Sequence, residues 1–212
     1  MNLEYIYWTY KNVIPHKVCD DIIKYYEQKK EKEILGIVGS TKFNKNTNNL
    51  NKEEIKKLKK IRNSNIIWTE ELWMSRYIMP YIKMANKNAN WNFQLDNPES
   101  FQLTKYSVNG HYDWHCDSWN EPYKEGKYAN KIRKLSMTVS LSNKTEYEGG
   151  ELQFAHGNDN LKEKNKKAIT CKEIFSKGSL VVFPSFIWHK VQPVTKGNRY
   201  SLVVWNLGNP FL

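Results

Sequence analysis

The sequence has few of the features that mark secreted, disulfide-bonded or membrane-embedded proteins. Its three cysteines, Cys19, Cys116 and Cys171, are far apart in 212 residues and form no CxxC spacing, which disfavours a disulfide framework and a structural zinc site. No apolar run approaches the roughly 20 residues that span a bilayer, and the N-terminal segment lacks the basic and apolar regions of a secretory signal. These absences predict a cytoplasmic protein with reduced thiols and no membrane association.

Arginine is also scarce, although the chain is basic. Only four of the 33 basic residues are arginine, while the formal net charge is +11. Nucleic-acid recognition favours the planar guanidinium fork of arginine for phosphates and base edges. The abundant lysines are therefore interpreted as a solvated surface, and nucleic acid is not expected as a partner.

Apolar and aromatic side chains, in contrast, are plentiful. Hydrophobic residues make up 40% of the chain and aromatic residues 14%, too much for a disordered protein. The length suits one large domain with a substantial core. We expect a single domain over 1–212, in which 1–90 form a helical buttress with a mobile loop and 91–208 form a strand-rich core.

The first 90 residues carry mainly helical patterns. Apolar residues at helical spacing predict helices over 15–30 and 70–88, and 52–60 is predicted to be a short charged helix with a solvated face. A strand is predicted over 61–68, and the Gly-, Ser- and Asn-rich stretch 36–51 is predicted to be a mobile loop. Thr69 is expected to cap the N-terminus of the third helix. The expected buried side of that helix is Leu72, Trp73, Ile78, Tyr81 and Ile82.

From Trp91 onward the pattern changes to short β-type runs separated by glycine-containing turns. Strands are predicted over 91–95, 101–106, 135–142, 151–154, 179–183 and 200–206. A polar loop is expected from about 157 to 167. Helices followed by many short strands indicate an α+β protein that is mainly β, a sandwich or barrel with a helical buttress.

The most informative segment is 110–117, which reads Gly-His-Tyr-Asp-Trp-His-Cys-Asp. His115 and Asp117 are two residues apart, so an extended strand would point both side chains to the same face. One imidazole and one carboxylate are two corners of a facial triad, which needs a second histidine and leaves positions open on iron(II). The pair alone is a weak signal because this spacing is common by chance.

His189 has the context expected of the third ligand. It follows the apolar run 179–183 and a turn, whereas His111 is interpreted as structural, and His16 and His156 as exposed. Ten residues after His189 comes Arg199, which can hold a carboxylate with two parallel hydrogen bonds. The far carboxylate of 2-oxoglutarate is such a group, while the other end of that molecule chelates the metal.

Several ordered pieces of the chain resemble the prolyl 4-hydroxylase branch of the 2-oxoglutarate and iron(II) dioxygenases. The matching pieces are Tyr106, 110–112, 115–117, 133–136, 147–152, 183–185, His189, 193–194, 197–200 and Trp205. The fold of that family is a double-stranded β-helix, or jelly roll, which agrees with the strand-rich region. Where several relatives carry a tyrosine near the cosubstrate, this chain has Met-Thr-Val-Ser at 137–140.

The resemblance implies a role for each matching position. The catalytic metal ligands look like His115, Asp117 and His189. The residues that bind 2-oxoglutarate look like Tyr106 and Arg199, with Ser201 on the same strand face as Arg199. The residues near the substrate proline look like Tyr112, Arg133 and Trp205.

The implied reaction hydroxylates a prolyl residue to 4-hydroxyproline and converts 2-oxoglutarate to succinate and carbon dioxide. Iron(II) is the expected cofactor, 2-oxoglutarate the cosubstrate, and ascorbate a candidate reductant. A proline-containing peptide or protein is the expected partner. Two alternatives stay open: the same scaffold acting on another amino acid or on nucleic acid, and a non-catalytic binding module that kept the fold. The intact set of His115, Asp117, His189 and Arg199 argues against the binding module.

Overall fold

A computed structural model describes residues 3–37, 50–118, 121–155 and 168–211. Most of the loop predicted at 36–51, the polar loop at 157–167 and His156 lie outside these residues. Within them the three α-helices are α1 His16–Gln28, α2 Lys52–Ile61 and α3 Leu72–Asn88. The three predicted helices are therefore confirmed, with ends that differ by two residues or fewer. None of the described helices is both long and apolar enough to cross a membrane.

The strands of the described residues form two antiparallel sheets and a two-stranded ribbon. The strands are β1 Trp8–Tyr10, β2 Ile34–Leu35, β3 Arg62–Asn63, β4 Asn65–Thr69, β5 Phe101–Tyr106, β6 His111–His115, β7 Ile132–Ser140, β8 Tyr147–Gly149, β9 Leu152–Phe154, β10 Ile169–Thr170, β11 Leu180–Pro184, β12 His189–Val191, β13 Val194–Gly197 and β14 Arg199–Gly208. The seven-stranded sheet has the order β1-β11-β7-β14-β5-β4-β2, and the five-stranded sheet has the order β10-β9-β12-β6-β3. Strands β13 and β8 form the ribbon.

Two of the predicted strands differ from the structure. The run 61–68 is divided at Ser64 into β3 and β4, which pair with β6 in one sheet and with β5 in the other. The predicted strand at 91–95 is wrong, since this stretch is irregular although Trp91 and Phe93 are buried. Asn90 and Asn92 adopt φ values of 54° and 52°, which an extended strand does not allow.

The start of α3 also differs from the prediction. Thr69 is the last residue of β4 and pairs with Phe101, so it does not cap the helix, whose N-cap residue is Glu71. Leu72 then lies at the first helical position and is 79% exposed, which makes its predicted burial wrong. Ile78 and Ile82 are fully buried as predicted, and Trp73 and Tyr81 pack against the core while remaining partly exposed.

The seven-stranded sheet is covered on both faces. Helices α1 and α3 pack on one face, and the other face looks toward the five-stranded sheet. In β11, Leu180 and Val182 belong to the cluster on the helical side, while Val181 and Phe183 belong to the cluster between the sheets. Burial on both faces explains why this strand reads as an unbroken apolar run rather than an alternating one.

Three adjacent strands of the large sheet present polar or aromatic side chains to the space between the sheets. Because side chains alternate along a strand, every second residue faces that space. These residues are Gln102, Thr104 and Tyr106 on β5, Ser136, Thr138 and Ser140 on β7, and Arg199, Ser201 and Trp205 on β14. Many of them line a cavity of about 580 Å³ between the two sheets, which contains the candidate site.

Candidate active site

The pairing of β6 with β12 brings the two candidate histidine ligands together. His115 ends β6, His189 begins β12, and the two are register partners. The chain bends after His115, so the predicted extension of the strand through Asp117 is wrong. The backbone N–H groups of Asp117 and Ser118 donate to the carbonyl of Ser185 at 2.8 and 3.0 Å, which holds the bend in place. One potential ligand atom from each of His115, Asp117 and His189 lies within 4.8 Å of the others.

The ring nitrogens are arranged for a metal between these three side chains. Oδ1 of Asp117 lies 3.6 Å from Nε2 of His115, and its Oδ2 lies 3.5 Å from Nε2 of His189. The other ring nitrogens face backbone carbonyls, Nδ1 of His115 toward Asp113 at 2.8 Å and Nδ1 of His189 toward Ile187 at 2.9 Å. Donation from Nδ1 leaves Nε2 of each ring as the ligand atom. Two imidazoles and one carboxylate fit a divalent iron ion.

The electrostatics of the cluster favour the ligand forms of these groups. Burial lowers the pKa of His115 well below its usual value, and the neighbouring His189 lowers it further. Burial alone would raise the pKa of Asp117, but His189, His115 and Arg133 outweigh it and bring that pKa to about 2. A neutral imidazole at His115 and an ionised carboxylate at Asp117 are the protonation states in which these two groups bind a metal ion.

Two buried serines support the carboxylate. Ser136 Oγ donates to Oδ2 of Asp117 at 2.7 Å and lies 2.9 Å from Ser185 Oγ. Both serines are fully buried, so they hold this carboxylate oxygen away from water. Their contact with Asp117 was not predicted from the sequence. The available signal was a serine between Leu135 and Met137 in an apolar strand, which places it on the face opposite the helices.

Arg199 lies deep in the same cavity. It is 2% exposed and stands directly across from Tyr106 in the register of β14 and β5, with its Cζ 5.4 Å from that ring. Nη1 of Arg199 donates to Ser201 Oγ at 3.3 Å. Among the residues that the structure describes, no carboxylate pairs with this guanidinium. A buried cation without an acidic partner is costly, so the arrangement suits an anionic ligand.

The three residues predicted to contact the substrate line this cavity as well. Nε and Nη2 of Arg133 donate to the two carboxylate oxygens of Glu99 at 2.6 and 2.7 Å, and Cζ of Arg133 lies 3.8 Å from the Trp205 ring centroid. Tyr112 stacks on His115 with 3.5 Å between the ring centroids, and burial raises the pKa of Tyr112 to about 12. The structure thus brings these residues together, while their roles stay predictions.

Two further charged residues at the cavity escaped the sequence analysis. Glu99 is buried although its polar surroundings in the sequence suggest a loop, and hydrogen bonds from Arg133 and Tyr123 account for that burial. Arg62, on β3, is 5% exposed and lies with its Cζ 4.6 Å from the ring centroid of Tyr112. The structural interpretation of His111 agrees with its contacts, because its ring nitrogens face the backbone carbonyls of Asn109 and Lys60.

Comparison with known proteins identifies a matching family. The model of the 2OG-Fe(II) oxygenase superfamily matches residues 101–206, which is half of the 212-residue chain. A protein named PKHD-type hydroxylase from Alteromonas mediterranea is 42% identical over 104 residues. That alignment covers 49% of this chain and 41% of the relative, so the matched part spans well under half of the relative's length.

Two solved structures share the fold. A prolyl-4-hydroxylase from Pseudomonas putida matches with a TM-score of 0.63 and 16% identity, over 96% of this chain and 92% of that chain. The viral collagen prolyl hydroxylase of Paramecium Bursaria Chlorella virus-1, in complex with 2OG, matches with a TM-score of 0.63 and 17% identity, over 97% of both chains. The predicted jelly-roll core with helices, and the resemblance from which it was inferred, are confirmed by these matches.

Proposed function

Because the chain belongs to the 2OG-Fe(II) oxygenase superfamily, we propose that it is a dioxygenase that hydroxylates prolyl residues in a peptide or protein. Membership implies iron(II) as the metal and 2-oxoglutarate as the cosubstrate, as the sequence predicted. The proposed products are a hydroxylated proline, succinate and carbon dioxide. Ascorbate is the candidate reductant that keeps the iron divalent.

The metal is assigned to His115, Asp117 and His189. The observation that supports this assignment most is that two register partners and a carboxylate held by a buried serine converge on one point. When bound, the iron supplies the oxidising chemistry, which amino-acid side chains cannot supply. The chain orients the ligands and excludes water from around them.

The cosubstrate is assigned to the part of the cavity around Arg199. Its buried guanidinium lacks an acidic partner within the described residues, and the distal carboxylate of 2-oxoglutarate supplies one. Ser201 lies on the same strand face as Arg199 and accepts a hydrogen bond from its guanidinium. Tyr106, across the strand pair, places its ring and hydroxyl in the same cavity.

The substrate proline is assigned to the aromatic part of the cavity. Tyr112 and Trp205 offer flat faces on which an apolar pyrrolidine ring can pack. Arg133 is held by Glu99 against Trp205 at the wall of the cavity, where a guanidinium is a suitable donor to a peptide carbonyl. The names of the two structural neighbours, a prolyl-4-hydroxylase and a viral collagen prolyl hydroxylase, support proline in a polypeptide as the substrate.

The chain is proposed to be one catalytic domain in the cytoplasm. Strands from the first 90 residues enter both sheets, which supports a single domain over 1–212. Cys19 and Cys171 are buried free thiols, and Sγ of Cys116 donates to the carbonyl of Phe186, which supports a reducing compartment.

The test measures succinate from 2-oxoglutarate with iron(II) and ascorbate, in the presence of proline-rich peptides, free amino acids or single-stranded nucleic acid. We expect succinate above the substrate-free rate only with the peptides, and a mass increase of one oxygen on proline. His189→Ala, which removes one ligand, is the matched control and should show no turnover. Turnover with nucleic acid alone would overturn the prolyl assignment. Full turnover by His189→Ala would overturn the metal assignment.

A further inference from the structure

Arg62 is a buried cation at the candidate substrate side of the cavity. It lies on β3, the edge strand of the five-stranded sheet, and is the register partner of Tyr112. Arg199 in contrast lies on β14, in the large sheet. Arg62 is 5% exposed and lines the cavity. Two strongly buried arginines therefore reach one cavity from different sheets.

The guanidinium of Arg62 is held in a fixed position. Nε donates to Ser64 Oγ at 2.9 Å, and Nη1 donates to the carbonyl of Ile37 at 2.9 Å. A Cβ at Gly36 would lie 2.5 Å from Nε and 2.7 Å from Cζ of Arg62, so only glycine leaves room for the guanidinium there. The ring of Tyr112 lies against it. Within the described residues these hydrogen bonds use two of the five guanidinium N–H groups, which leaves three for a ligand.

The charge of Arg62 has no acidic partner in the described part of the chain. Its hydrogen-bond acceptors there are a hydroxyl and a backbone carbonyl, both neutral. The stretch 38–49, which follows Ile37 in the sequence, contains no Asp or Glu. Glu121 and Glu125 also line the cavity, but both are exposed at its rim, where Glu121 pairs with Lys124.

The other charges of the loaded site neutralise one another. Glu99 neutralises Arg133 through two hydrogen bonds. The divalent metal and Arg199 are neutralised by Asp117 together with the dianionic 2-oxoglutarate of the proposed function. Arg62 is then the one buried arginine of this cavity whose charge nothing described here neutralises. Since an isolated buried charge is costly, this site is suited to a second anion.

We propose that Arg62 is a specificity residue that binds a carboxylate of the substrate, next to the residue that is hydroxylated. The inference rests on the proposed function, because it requires a peptide in the cavity. The favoured substrates are then those with an acidic side chain adjacent to the proline, or with the proline at a free C-terminus. Arginine matches a carboxylate with paired N–H groups, which a neutral amide cannot replace at equal strength.

The experiment measures peptide binding to the iron(II)- and 2-oxoglutarate-loaded protein without oxygen, by calorimetry, so that no turnover is needed. Three matched pairs of short proline peptides are compared, which differ only in carboxylate against amide: before the proline, after it, or at its C-terminus. We expect one charged peptide to bind about 10- to 100-fold more tightly than its amide partner, the range of a charged hydrogen bond.

Variants test whether Arg62 causes the difference. Arg62→Gln should bring the two members of the pair to equal affinity, while Arg62→Lys should keep part of the preference. Lys59→Gln is the matched control, because it removes the same charge from an exposed position of α2 and should leave the preference intact. Unchanged binding of 2-oxoglutarate to Arg62→Gln shows that the fold is preserved.

The outcomes separate this inference from the proposed function. Three results would overturn the role of Arg62. They are equal affinity within all three pairs, no binding of any peptide, and a preference that survives Arg62→Gln. Arg62-dependent binding of an oligothymidylate in place of the charged peptides also overturns it, because the anion is then a phosphate. If the charged peptide binds through Arg62 but yields no succinate in air, the proposed reaction fails and the carboxylate site stands.

Discussion

At the scale of single residues, the three arginines of the cavity differ in what surrounds them. Arg133 has a bidentate acidic partner in Glu99, whereas Arg199 and Arg62 have only neutral partners among the described residues. A guanidinium keeps its charge at any physiological pH, so its environment must supply the anion. We therefore propose that ligands bind at Arg199 and Arg62, the two arginines that have no protein carboxylate among the described residues.

The first prediction concerns Arg199. Replacing it by alanine should raise the 2-oxoglutarate requirement steeply, because truncating one partner of a buried charge pair costs about 2–5 kcal/mol. Arg199→Lys should do less damage, since a point charge remains. The measurement is the dependence of succinate formation on 2-oxoglutarate concentration, with the iron affinity as a control that should not change. If Arg199→Ala titrates like the parent protein, the carboxylate binds elsewhere.

The second prediction concerns Ser136, which donates to Asp117 at 2.7 Å. Ser136→Ala should weaken metal binding about 10- to 100-fold, because residues that orient a metal ligand contribute on that scale. The readout is anaerobic calorimetric titration of the metal-free protein with iron(II). Ser140→Ala, another buried serine on β7, is the matched control and should bind the metal normally. Equal affinities for the two variants would show that Asp117 is held by the backbone alone.

At the scale of elements, helix α1 is tied to the large sheet by a small polar cluster. Glu27 on α1 accepts hydrogen bonds from Tyr200 on β14 and from Lys105 on β5, the latter at 2.9 Å. Tyr200 and Lys105 are register partners, so one carboxylate bridges a helix and two strands. Hydrogen bonds from Tyr200 and Lys105 lower the pKa of Glu27 below its usual value.

The third prediction gives the pH dependence of this contact. A carboxyl whose folded pKa is lowered contributes stability that is present above its unfolded pKa of about 4.3 and is lost as the pH falls through the folded pKa. Glu27→Gln should therefore destabilise the protein at pH 7, by about 0.2–1 kcal/mol because the pair is partly exposed. Urea unfolding of both proteins at pH 7 and pH 3 is the measurement. A deficit of the same size at pH 3 would show that charge is not the cause.

At the scale of the whole molecule, the proposed metal ligands join distant parts of the chain. His115 ends β6, His189 begins β12, and Asp117 is held by a serine of β7 and by the segment after β11. A ligand that binds only the folded form stabilises it by an amount that grows with the logarithm of its concentration. Binding of the metal should therefore raise the free energy of unfolding of the whole fold.

The fourth prediction follows from that linkage. Iron(II) at about 100 times its dissociation constant should add about 2.7 kcal/mol, which for a chain of this size raises Tm by about 5–10 °C. Thermal unfolding of the anaerobic protein with iron(II), and again after a chelator, measures the effect. His189→Ala should show no rise. A rise of the same size in His189→Ala would place the metal outside this cluster.

Features that depend on short stretches of chain could be predicted from the amino-acid sequence alone. Helical spacing of apolar residues predicted α1 and α3, a charged stretch predicted α2, and the bounds of β5 were predicted to the residue. The metal-binding cluster was also readable, because a His-x-Asp pair and a later histidine beside an apolar strand are local patterns. The resemblance to a known family then placed His115, Asp117 and His189 in one site, and the structure brings them together.

Which polar residues are buried, and which groups they contact, could be seen only in the tertiary structure. Glu99 and Arg62 look like ordinary surface residues in the sequence, yet both are buried. The partner of Glu99 is Arg133, which is distant in the sequence. Arg62 contacts Tyr112, its register partner on the adjacent strand. A polar side chain can be buried only where other groups satisfy its hydrogen bonds and charge. The positions of those groups are set by the sheet register and by the stacking of the two sheets. Register and stacking depend on contacts between residues distant in the sequence, which local sequence patterns do not predict.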